Sequence, residues 1–286
     1  MKHEKIKQAN ITPDNSELGK KSSYDSSYNP ELLYAIQRAP KRQEIGINPN
    51  NIPFHGFDCW NHYELSWLNP KGKPMVAIGE IIYDCNSPSI VESKSLKLYL
   101  NSFNNHKFYS IENVITLIKT DIAKCIEADV AVSIRVLQDC DKLEIHTGFI
   151  GECIDYLDID CDTYTVEPSY LTTTNVTVNE IIYSNLLKSN CLVTGQPDWG
   201  SILIKYVGKK INHANLLKYI VSYRNHNEFH EQCIERIFND IMNHCNPEKL
   251  TVYGRYTRRG GLDINPYRST EKNINSDHIN FRLIRQ

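Results

Sequence analysis

Cys191 and Asp198 are the residues of this chain whose types and spacing are most informative about chemistry. Asp198 follows Cys191 by seven positions, beyond the turn Gly195–Pro197. A thiol attacks as thiolate, and an acid is then needed where the attacked group gains electrons. Because a Gly-Pro turn folds the chain back on itself, this spacing meets both needs. The pattern predicts nucleophilic catalysis, with a small buried apolar cysteine as the alternative.

A second cluster, Glu92–Tyr99, occupies the start of a predicted helix. Ser93 or Ser95 can cap this helix, and its exposed N–H groups with nearby lysines make an anion site. A solvated amphipathic helix is the alternative interpretation.

The third cluster runs from His226 to Cys233. His226 and His230 are four positions apart and share one helix face if the helix has already begun, so that with Cys233 they could bind zinc. Glu231 points about 100° away from His230 around the helix, which suits a carboxylate that contacts the edge of a bound base. The alternative is a polar first turn of a surface helix.

The fourth cluster is Arg255–Asp263, in which arginines on a strand run into the turn Gly260-Gly261. Such a turn lets the backbone approach a phosphate closely, although a charged hairpin has the same pattern. The chain has neither a Rossmann nor a P-loop fingerprint, so we expect any nucleotide to bind without them.

Composition limits the possible partners and compartment. The chain has 286 residues, 41% hydrophobic and 23% charged, with a net charge of −2, which argues against general electrostatic capture of nucleic acid. Its nine cysteines include no C-x-x-C pair and are typical of reduced thiols in a cytosolic protein. The charged start Met1–Lys5 is not a secretory signal, and no run of about 18 apolar residues predicts a membrane span. We expect a cytoplasmic protein.

The elements that must position these clusters follow from hydrophobic periodicity. Strands are predicted at 63–67, 75–78, 130–134, 142–145, 176–183, 201–206, 250–253 and near Leu262, and helices at 96–103, 111–126, 214–223 and 228–245. The order strand-strand-helix-helix-strand-strand therefore occurs twice.

The two halves also match in sequence. Leu96-Lys97 corresponds to Leu217-Lys218 and Asp121-Ile122 to Asp240-Ile241, 121 and 119 positions further on. We therefore favour two copies of one α+β unit, with antiparallel sheets and helices on one face, over chance similarity between amphipathic helices.

Four regions are expected: a polar arm at 1–50, extended or disordered, a first module at 51–150, an acidic connection at 151–175, and a second module at 176–286. The connection carries Asp155, Asp158, Asp160 and Asp162. A calcium loop is excluded, because Thr163 and Ser169 stand where its glycine and glutamate belong. A strand with one solvated face explains the alternating aspartates better than a calcium loop does.

Five segments together resemble the NADPH-dependent 7-cyano-7-deazaguanine reductases, the nitrile reductases of queuosine biosynthesis, in their long two-module subfamily. The segments are Glu92–Asn104, Leu187–Leu192, Gln196–Ser201, Glu228–Cys233 and Tyr256–Pro266. The resemblance extends from about Leu18 to Gln286.

The resemblance implies tandem tunnelling-fold (T-fold) modules, a fold shared with GTP cyclohydrolase I, in a homodimer that uses NADPH and contacts neither nucleic acid nor membrane. It implies that Cys191 adds to the nitrile to form a covalent thioimide while Asp198 protonates the nitrogen. It further implies that Glu231 binds the base and that His230, beside the substrate, assists proton transfer. The implied substrate contacts are Val91, Glu92 and Ser93. The implied NADPH contacts are Ser93, Lys94, Arg259 and Gly260.

Two alternatives stay open on the same fold. One is a metal-dependent cyclohydrolase, with His226, His230 and Cys233 as candidate zinc ligands. The other is a non-catalytic pterin- or purine-binding module, in which Cys191 and Asp198 would have no shared purpose.

Overall fold

The computed structural model describes residues 27–140, 144–272 and 280–286. Its centre is a nine-stranded sheet with the order β5-β3-β2-β12-β11-β10-β8-β7, in which β9 pairs with β10. Every pairing is antiparallel except that of β7 with β8. The strands are β1 (Ala35–Gln37), β2 (His55–Leu68), β3 (Pro74–Asp84), β4 (Ser89–Val91), β5 (Val130–Val136), β6 (Ile145–His146), β7 (Glu152–Cys153), β8 (Thr173–Ser184), β9 (Lys188–Asn190), β10 (Pro197–Ile211), β11 (Lys249–Tyr256), β12 (Leu262–Ser269) and β13 (Arg282–Leu283).

Helices cover one face of this sheet and form two cores. The helices are α1 (Ala39–Glu44), α2 (Ser93–Asn101), α3 (Ile111–Ile126), α4 (His213–Ser222) and α5 (His230–Cys245). One core joins α2 and α3 to β2 and β3, and the other joins α4 and α5 to β8, β10 and β11. Apolar residues at helical spacing, such as Val114, Ile118 and Ile122 on α3, are fully buried there. The predicted α+β class is confirmed.

Equivalent hydrogen bonds mark the internal repeat. The Tyr99 hydroxyl donates to Asp121 at 2.6 Å in the first half, and the Tyr219 hydroxyl donates to Asp240 at 2.6 Å in the second. α3 and α5 also both end on a left-handed residue, at Glu127 and Asn246. The same tyrosine–aspartate bond thus links the two helices of each half, as expected for two copies of one unit.

Two predicted strands differ from the structure. The acidic stretch 155–162 contains no strand, because the Asp155 carboxylate instead accepts hydrogen bonds from the Ser184 hydroxyl and the Asn185 N–H. Of the strand predicted at 142–145, residues 142 and 143 lie outside the described residues. Ile145 belongs to β6, which pairs with β13 in a separate small sheet.

The described part of the predicted arm, residues 27–50, is integrated into the fold. β1 pairs with β4, and the side chains of Arg38 and Arg42 are each only 4% exposed. The division into four regions stays a prediction, and β2 joins β12 across the two halves. Within residues 27–140, 144–272 and 280–286, no helix has both the length and the apolar character that crossing a membrane requires.

The junction between the halves depends on a glycine. A Cβ on Gly56, at the start of β2, would lie 1.9 Å from the carbonyl oxygen of Tyr267 on β12. We expect Gly56→Ala to lower the free energy of unfolding by about 3 kcal/mol or more, because the strands must separate there. Gly79→Ala on β3, whose Cβ would meet Leu65 at 3.4 Å, is the matched control in denaturant unfolding. Equal losses in the two variants would contradict this view of the junction.

Candidate active site

Cys191 lies directly after β9, in a tight turn that is closed by its own backbone. The Cys191 N–H donates to the carbonyl of Gln196 at 2.8 Å, and the Gly195 N–H donates to the carbonyl of Cys191 at 3.0 Å. β9 pairs with β10 so that Ser189 faces Asp198. The turn thus brings the thiol and the carboxylate into the wall of one cleft, as the Cys-Asp spacing predicts.

The surroundings of Cys191 favour its thiolate. Burial acts to raise the pKa of this thiol, since its side chain is only 5% exposed. Hydrogen bonds from the Thr194 hydroxyl and from the N–H groups of Thr194 and Val193, together with the Arg259 charge, outweigh burial and lower the pKa. The Cys191 thiol therefore loses its proton more readily than an ordinary cysteine does.

Asp198 lies between two basic groups at the start of β10. Its carboxylate oxygens are 3.4 Å from His230 Nε2 and 3.2 Å from Arg259 Nη1. Burial acts to raise the pKa of Asp198, but the His230 contact and the charges of Arg259 and Lys97 lower it overall. The resting group is therefore a carboxylate, which can accept a proton before it donates one.

His230 is held by a stack as well as by Asp198. Its ring lies 3.9 Å from the ring of Tyr256 on β11, at an interplanar angle of 25°. Gly200 pairs with Tyr256 across the sheet, and a Cβ there would lie 3.1 Å from the tyrosine ring. The glycine therefore leaves space for the tyrosine that positions the imidazole.

Glu231 presents an unsatisfied carboxylate to the same cleft. Its side chain is 2% exposed, and Oε1 has no hydrogen-bond partner among the described residues. Burial and the nearby Asp58 charge raise the pKa of Glu231 to about 8. An orphaned buried acceptor is costly unless a ligand supplies donors, which fits the predicted contact with a base.

The Val91–Ser93 segment forms another wall, and one prediction about it is wrong. Val91 and Ser93 line the cleft. Glu92, rather than Ser93 or Ser95, is the N-cap of α2, because its carboxylate accepts the N–H groups of Lys94 and Ser95 at 2.8 and 2.7 Å. The helix N–H groups predicted to bind an anion are thus partly occupied by Glu92 itself.

Of the residues predicted to hold NADPH, Ser93 and Arg259 line the cleft and Lys94 does not. Gly260 follows Arg259 with φ +61°. A Cβ on Gly260 would lie 3.1 Å from the side chain of Lys97, so the glycine keeps a passage open beside that lysine. Burial and the Arg259 charge lower the pKa of Lys97 to about 8. Cations beside an open backbone turn fit the phosphates of a dinucleotide.

Other residues of the cleft were not predicted from the sequence. The cleft contains about 330 Å³ of empty space, a figure that includes open solvent at its mouth. Its further lining residues are Trp60, Ile90, Glu228, Phe229 and Ile264. Phe229 adjoins His230 and could have been found from the motif. Trp60 lies on β2 of the other half, and no local pattern points to it.

The candidate zinc ligands are only partly brought together. His226 and Cys233 approach one another beside Glu228, but α5 begins at His230, which turns toward Asp198 instead. Glu228 is already bound by Arg236 at 2.8 and 3.0 Å, and burial raises the pKa of Cys233 well above its usual value. An arginine-paired carboxylate and a protonated thiol are poor zinc ligands.

The environment of Cys191 gives a prediction about its reactivity. We expect iodoacetamide to modify Cys191 before Cys125 and Cys245, whose pKa burial raises to about 11. Thr194→Val should raise the pKa of Cys191 by up to about one unit, because it removes one hydrogen bond to the thiolate. Peptide mass spectrometry across a pH series measures both, with the exposed-helix variant Thr120→Val as control. An unchanged Cys191 pKa in Thr194→Val would show that the Thr194 hydroxyl does not stabilise the thiolate.

Two family models match separate parts of this chain. A family model described as the nitrile reductase, 7-cyano-7-deazaguanine-reductase N-term, matches residues 24–134. A second, described as a QueF-like protein, matches residues 197–275. The solved apo structure of an archaeosine synthase QueF-Like covers 35% of this chain and 99% of its own, with a TM-score of 0.30 and 16% identity.

Several curated relatives match nearly the whole chain, and each is named NADPH-dependent 7-cyano-7-deazaguanine reductase. The protein from Legionella pneumophila (strain Corby) is 62% identical over 271 residues, 95% of this chain and 95% of its own. That of Dechloromonas aromatica (strain RCB) is 54% identical over 95% of both chains, and that of Coxiella burnetii (strain CbuK_Q154) is 52% identical over 95% and 98%. The chain belongs to the family of NADPH-dependent 7-cyano-7-deazaguanine reductases.

Proposed function

We propose that this protein reduces the nitrile of 7-cyano-7-deazaguanine to an aminomethyl group with two NADPH, in queuosine biosynthesis. The observation that carries the proposal is a single cleft that contains a thiol of lowered pKa, an aspartate and an unpartnered buried glutamate. The thiol suits attack on the electrophilic nitrile carbon, and the aspartate suits proton transfer to the nitrile nitrogen. The glutamate suits a base edge that is rich in N–H donors.

Cys191 starts the reaction in this proposal. Its sulfur bonds to the nitrile carbon, one C–N π bond breaks, and the nitrogen takes a proton, which gives a thioimide. Asp198, a carboxylate at rest, accepts the thiol proton and passes it to that nitrogen. His230 holds the carboxylate in place and assists this transfer.

Two molecules of NADPH, bound one after the other, would supply the two hydrides that the reduction needs. Between the two reductions Cys191 leaves as thiolate, so its lowered pKa assists departure as well as attack. Lys94, Arg259 and Gly260 hold the dinucleotide, with Ser93 at the edge of the cleft. Phe229 and Trp60 exclude water from the imine that forms when Cys191 leaves, because water would hydrolyse it.

Glu231 recognises the base by accepting its N–H donors, and Val91 and Ser93 contact the substrate from the opposite segment. Glu92 acts in this proposal by fixing the turn that carries them. The cyclohydrolase alternative is not favoured, because its candidate ligands do not converge. A non-catalytic module would leave the activated thiol unused.

We also propose a homodimer that acts in the cytoplasm and does not bind nucleic acid directly. The nine unpaired cysteines support the cytoplasmic location. The net charge of −2 supports the absence of direct nucleic-acid binding. Sedimentation of the full chain tests the dimer, and a monomer that retains full activity would refute it.

The nucleophile is tested by NADPH absorbance on addition of 7-cyano-7-deazaguanine. We expect two NADPH oxidised per substrate in the wild type, and neither turnover nor a covalent adduct in Cys191→Ala. Cys245→Ala is the control, because Cys245 lies in the second core away from the cleft. An adduct that persists in Cys191→Ala would refute the nucleophile.

Asp198 is tested by the isosteric change to asparagine, which keeps the shape but cannot carry the proton. We expect Asp198→Asn to bind the base normally and to turn over roughly 10²- to 10⁴-fold more slowly. Stopped-flow measurement of thioimide absorbance separates binding from chemistry. Near-normal turnover would exclude the acid role.

Base binding should depend on pH through Glu231. The ionised carboxylate accepts the base N–H groups much more strongly than the protonated acid does, and the pKa of Glu231 is about 8. Affinity should therefore fall about tenfold per pH unit below about 8 and level off above it. Glu231→Gln should weaken binding about ten- to a hundredfold at high pH and abolish this slope. Calorimetry in the Cys191→Ala background checks this, and an unchanged slope in Glu231→Gln would place recognition elsewhere.

A further inference from the structure

Five charged side chains form a buried cluster behind Glu231. The cluster consists of Arg38, Arg42, Asp58, Glu235 and Arg268, none of which is more than 4% exposed. Two of its arginines come from the segment ahead of β2, which the sequence predicted only as a polar arm. The other members lie on β2, α5 and β12.

Each carboxylate of the cluster bridges arginines. Asp58 accepts from Arg38 and lies 2.8 Å from Arg268 Nη1. Glu235 accepts two hydrogen bonds from Arg42, at 2.7 and 2.8 Å, and two from Arg268, at 2.9 and 3.1 Å. The contacts are close and multiple, so the cluster is a rigid unit.

The charges of this unit do not cancel. Arginine stays protonated in proteins, and the arginines lower the pKa of both Asp58 and Glu235 although burial opposes this. Three positive charges therefore face two negative ones in a dry interior. The cluster therefore carries an excess positive charge, which a neighbouring carboxyl would offset when it ionises.

Glu231 is the neighbouring carboxyl placed to offset this charge. It lies one helical turn before Glu235 on α5, where side chains four apart share a face. The titratable and charged groups that face it from other elements are Asp58 on β2, Tyr83 on β3, Arg38 ahead of α1, and Arg268 on β12. Tyr83 is neutral, because burial raises its pKa well above the usual value.

We propose that this cluster is a positioning element for Glu231, the carboxyl that binds the base. Its members act on the ionisation of Glu231 in opposite directions, since Asp58 opposes the negative charge and Arg38 and Arg268 favour it. The inference rests on the proposed function, since it concerns the same carboxylate and the same ligand. It also gives the segment 27–50 a role, because removing Arg38 or Arg42 would change the charge behind the substrate.

A matched pair of variants tests the charge. Arg38→Gln and Asp58→Asn alter the two partners of one ion pair, although Arg38 also donates to Ser87 and Asp58 also contacts Arg268. The two variants change the cluster charge in opposite directions. We expect the pH midpoint of 7-cyano-7-deazaguanine binding to rise by about one unit in Arg38→Gln and to fall by about one unit in Asp58→Asn. Both are measured by calorimetry in the full-length Cys191→Ala protein.

The controls separate the two proposals. If the Cys191→Ala parent does not bind the base, the proposed function fails. If the parent binds and the two midpoints shift in the same direction or not at all, the positioning role fails alone. Should either variant fail to fold, Arg42→Gln and Glu235→Gln form a second pair with the same opposite signs.

Discussion

The pairing of β2 with β12 joins the two halves of the chain, and the positions of the cleft and of the buried charged cluster depend on it. Eight residue pairs, from Leu262 opposite His62 to Ser269 opposite His55, bring together residues about 200 positions apart. Arg259 and Gly260 lie in the turn that enters β12, and Trp60 and Asp58 lie on β2. A change of register by one residue would move these side chains to the other face of the sheet and take them out of the site.

Two carboxylates of the cleft differ in charge state because their surroundings differ. Asp198 has a lowered pKa, since His230 and Arg259 contact it at the cleft surface. Glu231 has a raised pKa, since burial and the Asp58 charge outweigh the charges of Arg38 and Arg268. In the proposed mechanism, the first group moves a proton at the nitrile nitrogen and the second recognises the base. The difference comes from which elements pack against each residue.

Much of the fold could be predicted because its signals are local. Short windows of sequence are enough to predict the apolar spacing on α3 and α5 and the hairpin of β2 and β3. The repeated order of elements follows from such local predictions. The errors also have local causes. Alternating aspartates resemble a half-exposed strand, but Asp155 instead satisfies the N–H of Asn185. Ser93 resembles an N-cap, but Glu92 reaches the same N–H groups with a longer side chain.

The sequence by itself determined which residue types are available and which lie adjacent, since the motifs around Cys191, Asp198 and Glu231 are contiguous. Only the tertiary structure decided their charge states, because the electrostatic field at a buried group sums over every element packed against it. It also decided that His230 lies beside Asp198 and away from His226 and Cys233, and that the charges of Arg38 and Arg268 act on Glu231. These contacts join residues that lie far apart in the chain, and no periodicity or spacing in the sequence predicts them.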